Sequence, residues 1–264
     1  MGYSPAGKRW TAIIAVALLC IAFLPGPISA HAAADETTCQ FADSIKELEA
    51  LRTDYYGDPA FRIRTELAIR KKILFGIIDC AVDETRTLKD KVDEVPADNG
   101  SIAPIRTRFL SMLDSALQYY ADARSRVDTL GIGGSKDLAR EIRTWRTNTY
   151  TPTATQALNF LVWAKNQELF AAGNDRLADI QAAIRALKLT EDEKARALLE
   201  ESVLSLKSAN EENDRVRTEL DQFPPPPNTL DAIQRSLEKL SHTYELFFSL
   251  SELAQKLIPL GEKK

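Results

Sequence analysis

The residue types and spacing with most chemistry in them lie between Arg140 and Tyr150, where Arg140, Arg143 and Arg146 recur at three-residue steps beside Trp145 and Tyr150. Guanidinium forks hold anions through paired N–H donors, and an aromatic face stacks on a sugar ring or a cation. The chemistry implied is binding of a small ligand or an anionic glycan rather than bond cleavage. The same residues have a structural reading, in which Trp145 and Tyr150 fill the joint between two helices and the arginines pair with Asp137, Glu141 and similar neighbours. The structural reading takes precedence, because aromatics at helical junctions are usually core.

Other candidate chemistry is thinner. His242 is the one histidine left once residues 1–32 are removed, and it has no H-E-x-x-H or E-x-x-H setting, so no metal site is expected. Carboxylate runs such as Glu191, Asp192 and Glu193, or Glu211, Glu212 and Asp214, suit solvated helix faces. Nothing in their spacing selects an acid–base pair. The chain has no G-x-S-x-G and no phosphate-binding loop; Gly133-Gly134-Ser135 reads as punctuation between helices. Asn99-Gly100-Ser101 matches a glycosylation sequon, of consequence only in a eukaryotic host. No cofactor is implied, and a non-enzymatic role is expected.

The elements that must position these residues read as helices. Glycine is sparse at 11 residues, and Ala, Leu, Glu, Lys and Arg dominate long runs without strand alternation, which selects an all-α class. With 44% hydrophobic and 27% charged residues the 264-residue chain has enough apolar material to fold. Phe41 to Tyr55 and Ile63 to Val92 form the first two helices, with Asp58 as cap and Pro59 as first helical residue of the second. Ile105, Phe109, Met112, Ala116, Tyr120, Ala123, Val127 and Leu130 mark a third. A shorter helix from Lys136 to about Thr147 leads into a long one capped by Thr151, with Leu158, Leu161, Val162, Leu169, Ala172, Leu177, Ile180, Ile184 and Leu187 as its expected core face.

Thr190 and Glu193 form a capping box for the next helix, whose seam is Leu199, Val203, Leu206, Ala209, Asn213, Val216 and Leu220. Pro224 to Pro227 cannot continue it and form a stiff connector. The last helix carries Leu230, Ile233, Leu237, Leu240, Tyr244, Phe247, Ala254 and Ile258. The fold expected is an elongated multi-helix bundle with antiparallel helical hairpins, the C-terminal one coiled-coil-like. Leu246, Phe248 and Leu250 form a second apolar face on that last helix, the candidate surface for a protein partner.

The N-terminal segment has its own logic. Lys8 and Arg9 precede an apolar run from Trp10 to Leu24, Pro25 to Pro27 break it, and Ala30-His31-Ala32 supplies a small-residue cleavage site. This is the pattern of a signal peptide over residues 1–32, cut after Ala32 or, second, after Ala30. The apolar run of ~15 residues is shorter than the ~20 needed to span a bilayer, which disfavours a retained anchor. Leu19 before Cys20 breaks a lipobox, and no second hydrophobic span follows. Taking Lys8 and Arg9 from 34 basic residues leaves 32 against 38 acidic ones, a net charge of −6, which argues against a nucleic-acid partner.

Cys39 and Cys80 remain in a chain that enters an oxidising compartment, and an even pair there reads as a disulfide. In a hairpin turning near Gly57 their heights along the helices differ by under ~8 Å, close enough to bridge with irregular turn geometry. The bridge closes a loop of ~40 residues and contributes about 3 to 4 kcal/mol.

Trp145-Arg146, Tyr150, Pro152, Asn159-Phe160-Leu161-Val162 and the run to Arg176 resemble a group of uncharacterised exported helical-bundle proteins of bacteria. The resemblance covers about a quarter of the mature chain and implies a bacterial envelope address, secreted or periplasmic, with no activity to carry over. The organisation expected is a signal peptide over 1–32, a stapled helical bundle over 33–190 and a helical hairpin over 191–264. Its expected role is an envelope scaffold or protein-interaction module, with no stable membrane span after cleavage and a protein or cell-envelope component as partner. The sequence sets no oligomeric state.

Overall fold

The computed structural model describes residues 41–53, 58–97, 100–222, 226 and 228–257. The export segment, both cleavage sites, Cys39, Asn99, most of the proline run and Ile258 lie outside the described residues. Those described are helical and contain no strand: α1 Ala42–Thr53, α2 Pro59–Asp93, α3 Ile102–Arg126, α4 Ile132–Trp145, α5 Thr151–Ala186, α6 Glu193–Leu220 and α7 Thr229–Leu257. An all-α fold is what the composition required.

Local chemistry fixes most of the boundaries. Asp58 accepts the Ala60 N–H at 3.0 Å and Pro59 opens α2, as expected. The α3 face is read correctly at Ile105, Phe109, Ala116, Tyr120 and Ala123, and at Val127 just beyond it, all buried, whereas Met112 and Leu130 of the expected row are half-buried and Leu113, outside that row, is fully buried. Two arginines of α3 close other helices at their carbonyl ends. Arg106 donates to the Val92 and Asp93 carbonyls of α2, and Arg108 to Leu220 and to the Asp221 carbonyl at 2.6 Å at the end of α6. A cation there satisfies orphan acceptors and meets the negative end of the helix dipole.

Three expectations are corrected. Gly133, Gly134 and Ser135 are not a linker but the first turn of α4, where Ser135 donates its N–H to Gly131 at 2.9 Å and its hydroxyl to Ile132. The cap of α6 is Asp192, which accepts the Ala195 N–H at 2.8 Å; Thr190 lies in a preceding 3₁₀ turn entered through Lys188 at φ 58°. The third concerns α5. Its buried face is Thr153, Gln156, Ala157, Phe160, Trp163, Ala164, Phe170, Gly173 and Ile184, whereas Leu158, Val162 and Leu169 are exposed at 45%, 38% and 49%. The larger aromatic surfaces win the interior because they remove more area from water.

Residues from Phe41 onward form one packing unit. Its central core draws Val92 from α2, Phe109 and Leu113 from α3, Tyr150, Phe160 and Trp163 from the α5 region, Val216 and Leu220 from α6, and Ala232 and Ile233 from α7, so residues on both sides of position 190 share it. A second cluster joins α2, α3 and α4 through Leu74, Ile78, Tyr120, Leu138 and Ile142. A third joins α5, α6 and α7 through Phe170, Leu206, Ala209, Leu240 and Phe247.

Candidate functional site

The segment between α4 and α5 is not a break but a widened helical turn, Arg146–Tyr150, with π spacing. The Thr151 N–H reaches back to the Arg146 carbonyl, and the backbone stays helical through Tyr150 and Thr151. Pro152 explains the widening: it has no N–H to give, and in a regular α-helix its ring would strike the carbonyl four residues back. Thr151 therefore opens a helix that is already running, and its side chain caps nothing; Thr153 instead bonds the Thr149 carbonyl at 2.9 Å.

This turn points Trp145, Arg146 and Tyr150 inward against α2 and α3. Trp145 stacks on Tyr119 with ring centroids 3.9 Å apart and meets Tyr120 edge-on at 5.3 Å. Tyr150 is fully buried against Tyr120, their centroids 6.0 Å apart. Arg146 donates to Glu84 at 2.8 Å and to the Tyr120 hydroxyl at 3.0 Å, and its guanidinium lies 4.9 Å from the Tyr150 ring centroid. Burial pushes Tyr120 up to about 12, with Arg146 opposing the shift. Burial also pushes Tyr150 and Tyr119 above the ordinary tyrosine value. For Arg146, burial is the largest single influence and disfavours the charge, but the bonds and charge interactions with Glu84 and Tyr120 together outweigh it, so its pKa is raised and the cation persists.

Of the sequence-derived candidates, Trp145, Arg146 and Tyr150 are brought together, and Arg140 and Arg143 are not. Arg140 is exposed and paired with Asp137 at 3.0 Å, Arg143 is exposed, and Arg146 alone turns into the joint, where Glu84 meets its charge. An anion entering there would compete with a carboxylate already in place. On α7 the expected partner face is divided: Leu246 and Leu250 are buried at 7% and 3%, and Phe248 is exposed at 56%. Positions 246 and 250 are one turn apart on the buried side, and 248 lies opposite, so the three form no single exposed strip. Cys80 is half-buried on α2, and its expected partner Cys39 lies outside the described residues. His242 is exposed, 3.8 Å from Glu201 and 3.5 Å from Glu245, and no group of three metal-ligating side chains occurs among the described residues.

Concave surface occurs instead on α6 and α7, as two open grooves. One of about 350 Å³ is lined by Lys194, Leu198, Glu201, Glu252, Leu253 and Lys256, and one of about 520 Å³ by Glu201, Leu204, Ser205, Glu238, Lys239 and His242. Neither includes Trp145 or Tyr150. Both are too open to exclude water from a small ligand.

The feature that sequence reasoning misassigned is the outer face of α5. Thr151, Thr155, Leu158, Val162, Lys165, Leu169 and Ala172 follow one another at alternating steps of four and three, and all are exposed. Leu158, Val162 and Leu169 make that row apolar at its centre, and the Tyr244 hydroxyl of α7 reaches the Leu169 carbonyl at 3.4 Å, adding an exposed aromatic at its edge. The signal was present as a second apolar stripe on one helix. Comparison with protein-family models, with curated proteins and with solved structures finds no match. Among the described residues no helix is long and apolar enough to cross a membrane.

Proposed function

We propose that the chain is an exported, non-enzymatic helical scaffold of the cell envelope that meets a protein partner through the outer face of α5. One observation carries this reading: three large aliphatic side chains, Leu158, Val162 and Leu169, stand exposed in a heptad-spaced row, the pattern a helix uses to pack on another helix. Export rests on the pattern of residues 1–32. A nucleic-acid partner and a membrane span in the mature chain are no part of this reading.

The scaffold is a bundle of antiparallel hairpins. Residue pairs support this: between α2 and α3, Asp79 meets Arg124, Lys89 meets Asp114 and Asp93 meets Arg106, so one number rises as the other falls. Between α6 and α7, Glu201 pairs with His242 and Glu212 with Lys239 in the same sense, which supports the coiled-coil-like hairpin. A disulfide from Cys39 to Cys80 staples α1 to α2. Phe41 supports it, since a Cβ placed on Gly76 would stand 3.2 Å from the Phe41 Cβ, and Cys80 is one turn from Gly76 while Cys39 is two residues from Phe41.

The alternative, a small-ligand or anionic-glycan site at Trp145, Tyr150 and the arginines, draws less from the geometry, because Tyr119, Tyr120 and Glu84 already occupy the faces a ligand would use. Exchange of Leu169→Asp in exported protein tests the preferred reading. Loss of partner recovery with an unchanged melting temperature is expected, and undiminished recovery contradicts it.

A further inference from the structure

We infer that the exposed first turn of α2, carrying Phe61, Arg62, Ile63 and Arg64, docks on an anionic lipid surface. The inference is independent of the outer row of α5. Contacts further along α2 fix where this turn stands. Lys71 donates to the Asp128 carbonyl just beyond α3 at 2.6 Å, and Lys72 lies 3.9 Å from Glu47 of α1. Arg62 comes nine residues earlier on a helix that pairs with α3 in the opposite sense, so at 1.5 Å per residue the turn reaches ~14 Å past the end of α3. Phe61 and Ile63 are exposed there at 52% and 55%, more than any aliphatic side chain of the α5 row, and Arg64 is exposed beside them.

The charge around this turn is unbalanced. Among the described residues no carboxylate pairs with Arg62 or Arg64, nor with the exposed Arg52 of α1 and Lys136 of α4. The Glu66 carboxyl is held below the usual carboxylate range first by its bond to Arg70, at 2.6 Å, and further by the charges of Arg52 and Lys136, so these cations converge on one end of the fold. Against the four unpaired cations the sequence sets Asp54 and Asp58, which leaves this end positive on a chain whose net charge is −4. The acid-rich α6 and α7 meet the far end of α2, at Leu88 and Val92, and at physiological salt charges act over only ~8 Å.

The apolar side chains select lipid as the anionic partner. Positions 61 and 63 lie ~200° apart around a helix, so no face of a rigid partner lying along α2 covers both. A bilayer interface entered end-on surrounds both, with Phe61 and Ile63 among the acyl chains and the arginine forks on the phosphates above them. An acidic polymer supplies the charge but no apolar interior.

The test is co-sedimentation of the chain from residue 33 onward, which holds the whole packing unit and lacks the apolar run of residues 10–24, with vesicles of phosphatidylcholine alone or with about one third phosphatidylglycerol. Binding to the anionic vesicles only is expected, weakening as salt rises. Arg62→Gln with Arg64→Gln is expected to weaken it about tenfold or more, and Phe61→Ser with Ile63→Ser about tenfold. Arg185→Gln with Arg196→Gln, an equal charge change at exposed positions near the α5–α6 junction, is expected to leave it within about twofold. Phe61→Trp should gain fluorescence that brominated acyl chains quench. Melting curves of each variant check that the fold is intact. Absence of binding to the anionic vesicles overturns the inference, as does an equal loss in the Arg185 and Arg196 control. Binding that needs the arginines but ignores the loss of Phe61 and Ile63, with Phe61→Trp unquenched, assigns the turn to an acidic polymer or protein and overturns it too.

Discussion

Gly173 of α5 and Leu240 of α7 approach so closely that a Cβ built on the glycine stands 3.2 Å from Leu240 Cδ1 and 3.4 Å from Leu206 Cδ1 of α6. Three helices therefore meet at one position where a hydrogen replaces a side chain. The contact is tight rather than closed, since a leucine methyl group can shift by a few tenths of an ångström. Gly173→Ala should be near neutral, the crowding offset by the helix propensity gained, up to ~1 kcal/mol. Gly173→Val should cost about 1 to 3 kcal/mol by overpacking and lower the melting temperature by several degrees. Thermal denaturation of both variants checks the contrast, and equal melting points contradict it.

The arginines of α3 that close neighbouring helices give a second expectation. Arg108→Ala leaves the Leu220 and Asp221 carbonyls to solvent at the end of α6 and should cost about 1 kcal/mol, because the side chain is partly exposed and water replaces some of what is lost. Hydrogen exchange should rise first in the last turn of α6. A uniform rise along the chain would mean that the arginine stabilises the fold in some other way.

The tyrosines around Arg146 set the response to alkali. Tyr120 ionises near 12 in the folded chain against about 10 for an exposed phenol, so the native state keeps a proton that the unfolded state loses. Its contribution to stability is fully present below pH ~10 and is lost as the pH rises from there through 12. Phenolate absorbance should show a late-titrating group, with cooperative loss of helix signal accompanying it. Ionisation of every tyrosine near pH ~10 with the fold intact contradicts this.

How much of this was legible in the sequence differs from helix to helix. The α3 face largely was, because Ile105, Phe109, Ala116 and Tyr120 recur at steps of four or seven on one side, although the fully buried Leu113 lay outside the expected row. The α5 face was not, because the helix carries two apolar rows and periodicity cannot say which faces inward. Side-chain size decided it: Phe160, Trp163 and Phe170 take the interior and the aliphatic row is left outside. Pro152 was read as a helix start, yet a widened turn accommodates it, since the flanking aromatics hold the chain helical on both sides. Arg146 was correctly placed beside Trp145 and Tyr150. Its partner Glu84 lies 62 residues away, and no local pattern announces it. Phe248 illustrates the limit again, since it lies two residues from Leu246 and from Leu250 and a two-residue spacing on a helix cannot mark a face.

The staple has a direct chemical check. Exported protein should gain two free thiols only after reduction, by alkylation and mass measurement, and the reduced form should melt earlier, its stability lower by about 3 kcal/mol. Two alkylated cysteines in the native, unreduced protein would contradict it.

The central claim is that the outer row of α5 is a contact surface. Site-directed photo-crosslinking in the native envelope addresses it most directly, with the probe placed at Leu169 and, as control, at Ala182, which is exposed but off the row. The account predicts a discrete crosslinked band from Leu169 that Leu158→Asp removes, and none from Ala182. Equal or absent crosslinking at both positions would contradict it.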